Sequence, residues 1–326
     1  MSMLSTTYSQ AVWTSAPSLG NGATPRYNAC AMAIGSKGYM GTGFFNSNFY
    51  NDFLEYDPAL NAWSQKTNVG GATRTGATAF SIGTKGYIGL GYDGTNYKND
   101  FWEYNQATGS WTQKANFAGV ARSGACGFSI GTKGYAGTGY DGTVRKNDFW
   151  EYNQATNAWT QKASYGGGVR SSAAAFAVSG KGYIGTGYDG TNRKKDFYVY
   201  DPATDTWTKK ADFGGTARSN DVGWSIGTKG YIGTGFDGTY KNDFWEYNPT
   251  TNTWSQKANF TGAGRYNASG FAIGTKGYIG TGFDGASPQN DFYEYDQASN
   301  SWTQKATYGG FARSGAFSFS VNLKSY

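Results

Sequence analysis

Arginine recurs at residues 26, 74, 122, 170, 218, 265 and 313, steps of 47 or 48 residues, in a chain without a single histidine. A guanidinium fork matches carboxylates, phosphates and sugar hydroxyls, so a ring of such residues is a candidate polar binding site. Its members are Arg74, Arg122, Arg170, Arg218 and Arg265, with Ser123, Ser171 and Ser219 directly after three of them. The same periodicity admits a second reading, in which each arginine pairs inside its own repeat. Three positions after the arginine stands alanine in six copies and Asp221 in the seventh. An unpaired buried carboxylate costs several kcal/mol, so Asp221 is expected either to pair with a neighbouring arginine or to face a ligand. Without histidine, Ser-His-Asp and Cys-His catalysis and imidazole-ligated metals are excluded. The Asp-Gly pairs lack the EF-hand spacing. No catalytic residue, metal or cofactor is therefore assigned.

The elements that must position these side chains follow from the repeat. Trp recurs at 13, 63, 111, 159, 207, 254 and 302, and six copies each of G-Y-φ-G-x-G and D-F-x-x-Y lie between. A period near 48 without any 3.6-residue apolar pattern predicts four-stranded propeller blades. In one unit the spacing predicts strand a over 123–130, b over 135–140, c over 148–152 and d over 159–162. Period-2 alternation and the turns Gly131–Gly134 and Asp141-Gly142 support this division. Glycines in strand b leave room for aromatic side chains of the neighbouring blade. The b–c loops vary at their tips, Tyr50, Tyr97, Arg145, Arg193 and Tyr240. Exposed aromatic and arginine side chains on a rigid scaffold suit recognition, although a solvated turn would look the same in sequence.

Paired glycines in strand b, then Tyr, then Trp seven positions later (Tyr56 and Trp63, Tyr104 and Trp111) resemble the kelch repeat. The usual Gly-Gly is replaced by Gly-Thr-Gly or Gly-Leu-Gly, so the repeats are a variant of it. The resemblance spans nearly the whole chain. It implies a kelch-type β-propeller and, for most of the family, a binding function. It also implies that the repeat arginines and serines line the channel mouth, as in kelch domains that take acidic peptides. Two functions follow as expectations. One is a non-enzymatic binding or scaffold protein that recognises a protein or glycan through one face of the ring. The other is a sugar-processing enzyme resembling kelch-type sugar mutarotases. A copper oxidase of the galactose-oxidase kind is excluded by the missing histidines.

All 326 residues are read as one all-β domain of six four-stranded blades. The Trp strand and the Arg strand each occur a seventh time, at the ends. Residues 1–25 are expected to hold an extra strand d with a linker, and 313–326 an extra strand a. A seventh, incomplete blade built from both ends is the alternative. A spare terminal strand would leave an edge open to self-association. With 50 Gly and 18% aromatics the chain is not disordered. No apolar run reaches the ~18–20 residues of a membrane span. The net charge of +6 is scattered rather than gathered in a stripe, so no nucleic-acid partner is expected. Cys30 and Cys126 hold one repeat position two repeats apart, too far for a disulfide, and are expected to be buried thiols. The first ten residues carry no leader-like segment, and both an extracellular and a cytoplasmic setting remain open.

Overall fold

A computed structural model describes residues 28–307 together with Ala316 and Phe317. Six antiparallel four-stranded meanders stand in a ring, built from consecutive strands except in blade one, where the short hairpin Phe44–Phe45/Asn48–Phe49 interrupts the b–c loop. In blade one these are Ala29–Ile34, Lys37–Gly41, Phe53–Asp57 and Ala62–Lys66. In blade three they are Cys126–Ile130, Lys133–Gly137, Phe149–Asn153 and Ala158–Lys162, in the order a-b-c-d from the channel outward. The innermost strands of the other blades are Thr78–Ile82, Ala174–Val178, Val222–Ile226 and Ser269–Ile273. The meander places the a–b and c–d turns on one face of the ring, and the b–c loops and d–a segments on the other. The described residues form the six-blade ring, and no seventh blade lies between blades six and one.

Strands a and b are shorter than the sequence suggests, for one reason. Strand b stops at Gly137 because Thr138 turns into the left-handed region, at φ +60°. Strand a begins at Cys126 because Gly124, at φ +62°, turns away from the sheet before it. Only the isolated bridge Ser123–Tyr140 carries the pairing farther.

At five of the six junctions an aromatic ring of strand a lies on a glycine of the next strand b; between blades one and two Met32 and Ile34 take that place over Gly86. Phe80 covers Gly134, Phe128 covers Gly182, Phe176 covers Gly230, Trp224 covers Gly277, and Phe271 crosses from blade six to Gly38 of blade one. A Cβ at any of these glycines would overlap the ring. The strand-c phenylalanine of one blade also meets the strand-c tyrosine of the next edge-on. The centroid distances are 4.9 Å for Phe53–Tyr104, Phe101–Tyr152 and Phe149–Tyr200, and 4.8 Å for Phe197–Tyr247 and Phe244–Tyr295. Phe292–Tyr56, across the closing seam, repeats 4.9 Å. The seam therefore has the same strand-c contact as the other five junctions. The half-buried Trp111 joins this core against Phe53 and Tyr104, and its indole N–H donates to Thr67 O of the preceding blade at 3.0 Å.

Both cysteines are free and buried, as their repeat positions imply; burial pushes each thiol up to about 11. Of the expected extra strand a, Ala316–Phe317 pairs in parallel with the channel-side edge of strand a in blade one, Ala29 facing Ala316 and Cys30 facing Phe317. The expected extra strand d over 1–25 lies outside the described residues, as do Arg26 and Arg313.

Candidate functional site on the loop face

The five described repeat arginines lie beneath the channel mouth with 0% exposure. Arg122 donates from Nη1 to Thr138 O at 2.9 Å, from Nε to Val120 O at 2.8 Å and from Nη2 to Asp148 Oδ2 at 2.7 Å, and it also bonds Asp148 Oδ1. Its guanidinium lies over the Phe117 ring, 5.1 Å from the centroid. Arg74–Asp100, Arg170–Asp196, Arg218–Asp243 and Arg265–Asp291 repeat the pair. The carbonyls taken by Nη1 belong to Leu90, Thr138, Thr186, Thr234 and Thr281, all at φ between +60° and +63°. Such φ values are strained for branched side chains, so each guanidinium fastens an unfavourable turn to the start of strand c. Burial works against ionisation of Asp148, but hydrogen bonds from Arg122 and Trp150 outweigh it and hold the carboxyl below the usual range. Asp100 and Asp243 are lowered against the same opposing burial by Arg74 and Arg218. The pairing signal is legible in the sequence: one arginine and one D-F aspartate per repeat, 25 or 26 residues apart.

Asp221 is 6% exposed. Arg218 and Arg170, its expected partners, are committed to Asp243 and Asp196, and Asp221 forms no ion pair with either. Its Oδ1 lies 3.0 Å from Thr186 Oγ1, while Oδ2 is buried without a hydrogen-bond partner. Burial pushes its carboxyl up to about 7, against smaller lowering effects of Arg218 and Thr186.

The mouth itself is made of backbone. The residue two after each arginine donates its N–H to the carbonyl of its counterpart one blade back. These bonds are Gly76 to Asn28 at 2.9 Å, Gly124 to Gly76 at 2.9 Å, Ser172 to Gly124 at 3.0 Å, Asn220 to Ser172 at 3.0 Å and Asn267 to Asn220 at 2.9 Å. All six residues have φ between +53° and +62°, a conformation open to Gly and Asn. Ser171 and Ser219 are buried at the rim; Ser219 Oγ accepts from Asn220 Nδ2 at 3.2 Å. Ser123 is half-buried there and pairs through its backbone with Tyr140.

Around this mouth the b–c loops form a crown. Tyr97 faces Tyr92 of its own loop at 4.9 Å and leans edge-on against Tyr140 of the next blade at 6.0 Å. Arg145 lies 5.1 Å from the Tyr140 centroid and 4.6 Å from that of Tyr188. Arg193 lies 4.6 Å over Phe236, and Tyr240 spans Phe236 at 5.2 Å and Phe283 at 6.2 Å. In blade one this position belongs to Phe49, which packs at a tilt against Phe44 at 4.6 Å and meets Tyr92 at 6.0 Å. Tyr50, the residue expected there from sequence, instead bridges Arg74, the place held by Lys194 opposite Arg218 in blade four. A differently built hairpin, with Asn46 and Ser47 both at positive φ, shifts the alignment by one residue. Sequence reasoning also passed over Tyr92, Tyr140, Tyr188, Phe236 and Phe283. Their signal was an aromatic before the Asp of each of these loops.

The loops are stiff. Asp93 Oδ1 accepts the N–H groups of Thr95 at 2.9 Å and Asn96 at 2.7 Å, Oδ2 meets Lys98, and Tyr92 donates to Gly94 O at 2.7 Å. Burial opposes ionisation of Asp93, but Lys98 and those amides prevail and hold it at about 2. The Asp-Gly glycines have a steric role. Gly94, Gly142 and Gly285 lie at φ near +100° directly under Phe49, Tyr97 and Tyr240.

The kelch motif is matched over residues 170–214 and 230–261, within blades four and five. No curated protein matches the chain in sequence. A solved structure titled "Structure of YjhT" superposes with a TM-score of 0.75 at 15% identity, covering 88% of this chain and 99% of the other. Six repeats of one pattern close into a ring and two of them match the kelch motif, so the chain is a six-bladed β-propeller with kelch motifs in blades four and five.

Proposed function

We propose that the protein is a non-enzymatic binding module that recognises a glycan or a protein through its loop face. The observation that carries this reading is the crown: half-exposed aromatic and arginine side chains, continuous over five blades, on loops fixed by their own hydrogen bonds. Rigid aromatic surface loses little side-chain entropy on contact, which favours recognition. The ring of Ser, Asn and backbone groups inside the crown adds donors and acceptors. The sugar-processing alternative asks for arginine and carboxylate groups open to a substrate. The repeat arginines and Asp221 are buried, so it gains no support.

A glycan and peptide array probed with the full chain tests the reading. Tyr97→Ala combined with Tyr240→Ala should weaken binding to the array hits at least tenfold while the protein stays folded. Undiminished binding by that variant would place recognition elsewhere and defeat the proposal.

A further inference from the structure

Among the seven described arginines, Arg145 and Arg193 differ from the rest. Five are fully buried and forked to an aspartate, whereas these two stand half-buried at the crown of adjacent blades three and four. They fill the position that Phe49, Tyr97 and Tyr240 hold elsewhere, and they keep its stacking role on Tyr188 and Phe236. The crown thus needs a flat side chain there but no charge.

No described residue neutralises the charge. The loop carboxylates are committed to lysines, Asp141 to Lys146 at 2.6 Å, Asp189 to Lys194 at 2.6 Å and Asp237 to Lys241 at 2.8 Å. Among the described residues no carboxylate pairs with Arg145 or Arg193. Arg145 Nε donates to Ser171 Oγ at 3.2 Å, which orients its fork, and Arg193 Nε has no hydrogen-bond partner. A guanidinium stacked on a ring keeps its in-plane N–H groups free for a bidentate anion. Inward of the pair lie the uncharged groups of Ser172 and Asn220, suited to hydroxyls.

We propose that Arg145 and Arg193 form an anion-binding sector of the crown that takes the carboxylate or sulfate group of an acidic saccharide, with the sugar lying over the adjoining aromatics and the polar mouth. Two cations beside uncharged hydrogen-bonding groups and aromatic faces fit a sugar bearing one anionic group per residue better than a densely charged peptide. The proposal rests on the crown being the recognition face.

The test is calorimetric titration of the full chain with four probes. They are oligogalacturonate, its methyl ester, a chondroitin sulfate oligosaccharide and an oligoglutamate peptide. The variant Arg145→Tyr/Arg193→Tyr carries the side chain of Tyr97 at both positions, keeping the stack and removing the charge. The expected result is binding of at least one acidic saccharide, at least tenfold weaker for the variant; because both carry uronate carboxylates, binding of the chondroitin sulfate oligosaccharide alone points to sulfate. If oligogalacturonate is the one bound, its methyl ester should also bind at least tenfold more weakly, a comparison that needs no variant. Equal binding of ester and acid, or an unaffected variant, overturns the charge assignment and leaves the crown reading standing. Tighter, arginine-dependent binding of oligoglutamate overturns the saccharide class. Failure of every saccharide overturns the inference, while array hits sensitive to Tyr97 and Tyr240 would still uphold the crown.

Discussion

A guanidinium with 0% exposure must find its hydrogen-bond acceptors within the protein, and the repeat arginines find theirs in one aspartate and two or three nearby oxygens. The sequence shows both partners, yet a residue in every repeat looks the same whether it serves the ligand or the ring. The separation of 25 or 26 residues is what distinguishes them, because it joins the entry of strand a to the entry of strand c. Asp221 was visible as an exception to the repeat, but its environment was not. Only the coordinates show both neighbouring guanidiniums already taken. Its carboxyl, at 3.8 in the unfolded chain and about 7 when folded, favours the protonated form in the native state. Stability is therefore full below pH 4 as far as this group is concerned. It falls as pH rises from 4 to 7 and stays low above. The shift corresponds to a cost on the order of 4 kcal/mol at pH 8. Asp221→Ala restores the residue of the other repeats, so it should raise stability at pH 8 and flatten this part of the profile in urea titrations at pH 4.5 and 8. A variant less stable than the parent at pH 8 would mean that the carboxylate has a partner there.

At the scale of elements, the strand pattern and the turn dipeptides were readable because alternation and Asp-Gly have direct backbone causes. The end of strand b was not, since the left-handed Thr138 and its relatives run against residue preference and persist only because a distant arginine holds their carbonyls; nor was the start of strand a, set by the left-handed Gly124 in the ring at the mouth. The crown was readable at its tips and not at its base. The shifted hairpin of blade one hid Phe49 behind Tyr50. The strand-b glycines were legible as sites of close approach, and Gly134 under Phe80 is a clear instance. Gly134→Ala places a methyl group inside the ring contact and should cost about 1–3 kcal/mol, read as a lower urea midpoint. An unchanged midpoint would show that blade three can move away from blade two without loss.

For the whole molecule, closure depends on repetition rather than on a borrowed strand. Blade six meets blade one through Phe271 on Gly38 and Phe292 against Tyr56, and Ala306 N donates to Asn61 Oδ1 at 3.1 Å across 245 residues. The surplus terminal copies left a seventh, incomplete blade as an alternative. The coordinates show six blades complete without one, and Ala316–Phe317 beside the channel. On such a ring the arginines divide by depth: buried ones fasten the blades, and the crown pair is the one proposed to meet the ligand. One paired measurement tests this division most directly, the thermal stability and the oligosaccharide affinity of Arg122→Ala beside those of Arg145→Tyr/Arg193→Tyr. The account predicts that Arg122→Ala, which orphans Asp148, loses about 3–5 kcal/mol of stability but binds with normal affinity at temperatures where it is folded. The crown variant should melt like the parent and bind at least tenfold more weakly. A stable Arg122→Ala that has lost binding, beside a crown variant that binds normally, would contradict the account.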